Sequence, residues 1–253
     1  MPFSLEAKTR SLLADPYVRR ALPAQPFFKP SRSLGGVGVT LVNDVAFAFI
    51  VGLTELATRL VDLIAEDLRT TSDEVVPSDP YKSHSALFKN AERREALFFI
   101  KWLQHETPDP ALLIEAIDLL IQSNLEYRKC IGGPFDTLTL DHIMTLAAAA
   151  EAHSYGMTIF QLHSGTTALP ELSRIRSDRN LAYTLCLAAA TGTPDPAAVA
   201  ATGERFLRNN VDKSLEGSDA LRVLRWLYVL KWLPARTTLT PEETLRLAIQ
   251  YLR

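Results

Sequence analysis

The sequence predicts an all-α protein of antiparallel helical hairpins, packed as a bundle or as a short repeat-like array. Three observations predict it. Apolar residues recur at spacings of three and four over most of the chain after residue 41. Strand candidates are confined to two short apolar runs, Val37–Leu41 and Met157–Leu162, and the second reads equally as helix. The pentapeptide TPDPA occurs twice, at Thr107–Ala111 and Thr193–Ala197, 86 residues apart, and both copies have the composition of a helix corner.

The corner has a simple chemistry. Asp109 and Asp195 suit N-cap positions, where a carboxylate accepts from the unpaired N–H groups of a first helical turn. Pro110 and Pro196 then suit the first helical position, where a missing N–H costs nothing. Pro108 and Pro194 disfavour helix in the residue before them and so end the preceding helix. Shifted by 86, Leu113, Ile117, Leu120, Ile121 and Asn124 fall on Val199, Gly203, Phe206, Leu207 and Asn210. That register divides a helical domain over 41–253 into two similar units, about 87–175 and 176–253, in the manner of helical-repeat proteins. A tetratricopeptide consensus, with its period of about 34 residues, is absent. Chance likeness between two helix corners is the alternative.

Residues 1–40 form a separate proline-rich basic arm. Its opening SLEAKTRSLLA suits a short helix, but Pro16, Pro23, Pro26 and Pro30 forbid a continuous one. Lys8, Arg10, Arg19, Arg20, Lys29 and Arg32 against Glu6 and Asp15 give residues 1–33 a net charge of +4, which leaves −6 for the rest of a chain whose total is −2. Such an arm steers toward an acidic partner or wraps acidic parts of its own body.

The spacing of Val42, Val45, Phe49, Leu53, Leu56, Leu60, Leu63 and Ile64 predicts one amphipathic helix over about 41–69. TTSDEVVPSDPYKSHS, residues 70–85, reads as a linker. Helices follow over 87–105, 110–129 and about 139–154, with Gly132-Gly133-Pro134 as a stop. Residues 171–192 read as helical with a break near Ser177. Three more helices are expected over 196–211, 219–232 and 241–252. The stretches 97–103 and 223–233, which hold Trp102 and Trp226, are apolar nearly all round. They suit central core helices, or helices with one flank open for recognition.

Composition narrows the function classes. The balanced charge argues against a nucleic-acid partner, which calls for a concentrated basic surface. The longest apolar run, Val45 to Leu53, has nine residues and is too short to cross a bilayer. No secretory hydrophobic region opens the chain, and Cys130 and Cys186 form no disulfide framework, so the expected compartment is the cytoplasm. Both cysteines read as buried free thiols.

No catalytic or metal pattern stands out, and neither a metal nor a cofactor is expected. The five histidines, His84, His105, His142, His153 and His163, form no HExxH or ExxH pair. His142 and His153 would share a face on one long helix, and a pocket joining them to Glu151 would favour an enzyme. The paired carboxylates Glu92/Glu95, Glu115/Asp118 and Glu242/Glu243 would need unequal environments for acid–base work. Glu92-Arg93-Arg94-Glu95 reads more simply as a solvated, salt-bridged helix face. GGVGV at 35–39 lacks the residues of a phosphate loop, and His163-Ser164-Gly165 stands without a supporting nucleophile pattern.

The helix running into LIAEDLRTTSDEVVPSDP, residues 63–80, and the Trp-rich helices at Trp102 and Trp226 resemble a known family. The resemblance is to the all-helical immunity proteins encoded beside bacterial polymorphic toxins, in particular the group called immunity protein 49. It covers about residues 41–252, leaves out the basic arm, and carries over no functional residue. It implies a bacterial, non-enzymatic protein that binds a cognate toxin and neutralises it by covering its surface. The residues expected to contact that partner are Glu66, Asp67, Asp73, Glu74 and Asp79, which suit a basic surface, with Trp102 and Trp226 as anchors. A solubilising acidic loop is the plain alternative. The rival functions are a helical enzyme with a dispersed polar site and a helical-repeat scaffold or regulatory module.

Overall fold

The computed structural model of the chain describes Ala48, residues 53–70, 72–104, 106–165 and 171–216, and Val229. Among the described residues there are seven α-helices, one 3-10 turn and no strand. The helices are α1 (Thr54–Thr70), α2 (Pro80–Leu103), α3 (Ala111–Ile131), α4 (Thr137–Ala149), α5 (His153–Ser164), α6 (Asp178–Thr191) and α7 (Pro196–Glu216), with the 3-10 turn at Leu172–Arg174. The fold is all-α. Several expectations fall outside the described residues: the arm over 1–40 with its GGVGV, the strand candidate Val37–Leu41, the helices over 219–232 and 241–252, His105, Trp226, and Glu242/Glu243.

Local chemistry sets most helix ends. Asp79 precedes α2, and its Oδ1 accepts from the Lys82 N–H at 2.9 Å, with Pro80 as the first helical residue. The linker expected over 70–85 therefore ends six residues early, because Ser78-Asp79-Pro80 is a helix start of the same kind as Pro-Asp-Pro. Asp136 Oδ2 accepts from the N–H and hydroxyl of Thr139 at the head of α4. Ser177 Oγ does the same for Asn180 N–H at the head of α6. Helix α6 ends at Gly192 with φ +72°, a left-handed conformation open to glycine.

Two expected elements change form. The helix expected over 139–154 stops at Ala149, and Glu151 turns the chain with φ +55°. Met157–Leu162, ambiguous as sequence, lies within helix α5.

At the repeated corners, the Asp109 carboxylate accepts from the Ala111 N–H at 2.9 Å and the Asp195 carboxylate from the Ala197 N–H at 3.0 Å. Pro196 is the first residue of α7, whereas Pro110 sits one residue ahead of α3, at its cap. The register of 86 sets buried residues on buried residues: Leu113 on Val199, Ala116 on Thr202, Leu120 on Phe206. The corners differ in that the Thr193–Pro194 peptide is cis.

Packing follows chain order, with α2 against α1 and α3, α3 against α4, and α6 against α4, α5 and α7. Helices α2 and α3 run antiparallel, since His84 meets Ser123 while Arg94 meets Glu115. A continuous core joins them. Phe98 and Phe99 of α2, Leu113, Ile117 and Leu120 of α3, and Ile143 and Met144 of α4 are fully enclosed. Helix α4 buries nearly every residue from Ile143 to Ala149, and its small side chains admit close neighbours. The ring of Phe160 on α5 stacks on Tyr183 of α6 at 3.9 Å between centroids. Cys186 lies in this core, where burial pushes its thiol up to about 12. Cys130, expected buried, is instead exposed near the end of α3. There its Sγ–H faces the Glu126 carbonyl one turn back, on the helix side turned to solvent.

Candidate interaction surface

The segment between α1 and α2 is a pinned strap. Asn90 of α2 is buried, and its amide pairs with both backbone polar groups of one strap residue, Glu74. Its Oδ1 accepts from the Glu74 N–H at 2.8 Å, and its Nδ2–H donates to the Glu74 carbonyl at 2.9 Å. Arg94 grips both carboxylate oxygens of Asp73 at 2.6 Å, and Arg93 adds a third bond to Asp73 at 2.6 Å. Lys89 meets the Glu74 carboxylate at 2.8 Å. The Arg94 bond, then Arg93, hold the Asp73 carboxyl below its usual range against the opposing effect of burial.

Four of the five acidic residues expected to face a partner are described, and each is engaged within the chain. Asp73 and Glu74 turn onto α2, Asp79 caps α2, and Glu66 pairs with Arg69 at 3.1 Å. The side chain of Asp67 lies outside the described residues. Trp102 is half-buried, packs on the core and meets Phe99 edge-on at 6.5 Å.

In the strap, Asp73 and Glu74 pair with α2 while both valines stay open to solvent. Val75 is 88 % exposed and Val76 46 %. Beside Val76 opens a groove of about 760 Å³ between the start of α2 and the end of α3. Ser83, Leu87, Gln122, Leu125 and Lys129 line it with Val76. Tyr81 on the first turn of α2 and Ile131 at the end of α3 are 66 % and 61 % exposed. A clip braces this end of the hairpin. The Ser123 hydroxyl donates to the His84 carbonyl at 2.9 Å, and His84 Nδ1 lies 2.8 Å from Ser123 Oγ and 3.1 Å from its carbonyl. Both residues are satisfied when Nδ1 carries the proton. Ser123 is then a spent donor behind the groove and no nucleophile.

The charged turn Glu92-Arg93-Arg94-Glu95 is not a solvated face. Glu95 is 0 % exposed, and its Oε2 lies 2.7 Å from His142 Nε2 on α4. Glu92 is pushed up to about 7, first by burial and then by the negative charge of Glu95. Such a carboxyl exchanges its proton near neutrality, but its neighbour is sealed in helix packing. Glu115 and Asp118 are each engaged as well, with Arg94 and with the Tyr155 hydroxyl. Burial, then Asp118, push that phenol up to about 12.

His142, Glu151 and His153, whose convergence in a pocket would favour the rival enzyme reading, lie on separate elements. His142 sits at the start of α4 facing Glu95, Glu151 is exposed in the turn, and His153 begins α5. The break at Ala150–Ala152 destroys the common face that one long helix would have given. His163 stacks on Phe135 at 4.1 Å, and Ser164 donates to its own helix at the Phe160 carbonyl, so neither supports the other chemically. Among the described residues no group of three or more His, Cys, Asp or Glu could hold a metal ion, and no helix is long and apolar enough to cross a membrane. Comparison of the chain with protein-family models, with characterised proteins and with solved structures returned no match.

Proposed function

We propose that this chain is a non-enzymatic protein-binding protein that neutralises a cognate bacterial toxin by covering part of its surface. The observation that carries the binding half is the groove between α2 and α3, where Val76, Leu87 and Leu125 lie among the charged Glu126, Arg128 and Lys129. Apolar surface of this kind favours association when a partner removes it from water. The groove is preformed, because Asn90 holds one wall and the His84–Ser123 clip ties its two helices together. Little ordering is then lost on binding. What supports the toxin half is the resemblance of residues 63–80 and the Trp102 helix to immunity proteins. With Asp73 and Glu74 paired to α2, recognition rests on the shape of the groove and on its own mixed apolar and charged lining.

Co-expression tests this. The product of the neighbouring gene is expressed in a heterologous host with and without this chain. Survival that needs the chain, and is lost with Leu125→Arg at unchanged expression, is the expected result. Survival that is indifferent to the chain, or equal rescue by Leu125→Arg, overturns the proposal.

A further inference from the structure

We infer that the face of α2 carrying Lys89, Asn90, Arg93 and Arg94 is a recognition cradle for an extended acidic segment of a partner protein, with the strap as its resident occupant. This goes beyond the toxin proposal and does not rest on it. The four residues lie in two adjacent rows, i and i+4, on one side of α2. Together they supply two kinds of recognition to the strap, which runs antiparallel to the helix.

Asn90 recognises backbone. Its amide pairs with both the N–H and the C=O of Glu74, at 2.8 and 2.9 Å, and needs no particular side chain there. Only an extended chain offers both groups of one residue to the same side. Asn90 is 5 % exposed, so its clamp is part of the helix packing and is not a surface accident. Lys89, Arg93 and Arg94 recognise charge, taking an aspartate and the glutamate that follows it.

The cradle is positioned from behind, apart from its occupant. Arg94 Nε–H donates to Glu115 of α3 at 2.8 Å, and Arg93 donates to the Leu68 carbonyl of α1 at 2.8 Å. Both guanidinium groups keep these anchors if the strap leaves. The occupant is held almost wholly by polar contacts that another chain could reproduce. Its valines face solvent, and the side chains of Asp73 and Glu74 stay 39 % and 38 % exposed. Ion pairs this exposed hold weakly. A competing segment must overcome the local concentration of the tethered strap, on the order of millimolar. It does so by adding contacts of its own elsewhere on the hairpin.

The probe is a fluorescein-labelled peptide with the sequence of residues 72–79, SDEVVPSD, and the protein is the full chain. Asp73→Ala with Glu74→Ala frees Lys89, Arg93 and Arg94 and leaves the strap only its backbone bonds to Asn90. The double variant is expected to bind the peptide at least tenfold more tightly than the unaltered chain does, and the gain should be absent for a peptide carrying Ala at its Asp-Glu pair. Equal affinity for the double variant and the unaltered chain, or equal binding of the Ala peptide, overturns the inference. Should the double variant fail to fold, the unaltered chain is decisive. The peptide at concentrations above the strap's own effective concentration, on the order of millimolar, is then expected to speed hydrogen exchange at the Glu74 amide, and unchanged exchange there overturns the inference.

Discussion

Glu95 of α2 and His142 of α4 meet at 2.7 Å inside the helix packing, and the carboxyl is fully enclosed. A carboxyl placed there depends on its partners, because an uncompensated buried charge is severely destabilising. His142→Ala is therefore expected to cost roughly 2–3 kcal/mol. Urea denaturation at neutral pH measures it. Glu95→Leu combined with His142→Ala should recover part of the loss, since no buried carboxyl is then left short of a bond. A double variant less stable than His142→Ala alone would show that Glu95 is needed for its other contacts.

Glu92 predicts an unusual response to pH. Its folded-state value, about 7, lies above the ordinary 4.5. The protonated form is thus the one favoured by folding, so this contribution is complete below pH 4.5 and is lost as pH rises through 7. Glu92→Gln removes the loss. The variant should match the unaltered chain at pH 4.5 and exceed it at pH 8 by up to about 3 kcal/mol. Thermal melts at the two pH values decide it.

Asp73 works in the opposite direction. Arg94 and then Arg93 lower its pKa, so its stabilisation is present above the ordinary 3.8 and is lost as pH falls through the depressed folded-state value. The carboxyl is partly solvated, which screens the pairs. Asp73→Ala should cost only about 1 kcal/mol at pH 7, and the difference should narrow in urea titrations as pH falls below 3.8.

Gly156 of α5 sits where two helices approach. A methyl group there would lie 3.1 Å from Ala147 Cβ of α4 and 3.2 Å from Cys186 Sγ of α6. Gly156→Ala gains about 1 kcal/mol of helix propensity but overpacks a fully formed contact, at a cost of about 1–3 kcal/mol. A net loss is expected. Adding Cys186→Ala to the variant makes room, and should cost less than the two single changes combined, as measured by denaturant midpoints.

Much of the architecture was legible from local pattern. Leu113, Ala116, Ile117, Leu120, Ser123 and Asn124 keep helical spacing and are the buried residues of α3. Asp109 and Asp195 act at their corners through side-chain bonds that lie within two residues. The same signal at Ser78-Asp79-Pro80 marks the start of α2, but the polar residues around it suggested a linker. Glu95 was harder. Its neighbours Glu92, Arg93 and Arg94 suggest solvent, yet Phe98 and Phe99 stand three and four residues further on, directly along its face. A carboxylate in line with two phenylalanines was the available sign of burial. The Asn90 clamp and the groove were not legible, because both depend on where the strap lies across α2.

Hydrogen exchange on the chain alone and in complex with the purified toxin tests the proposed function most directly. The proposal predicts a stoichiometric complex in which exchange slows in peptides covering residues 75–87 and 122–133, around Tyr81 and Leu125. A complex protected only elsewhere, for instance along α6, or no complex at all, would contradict it.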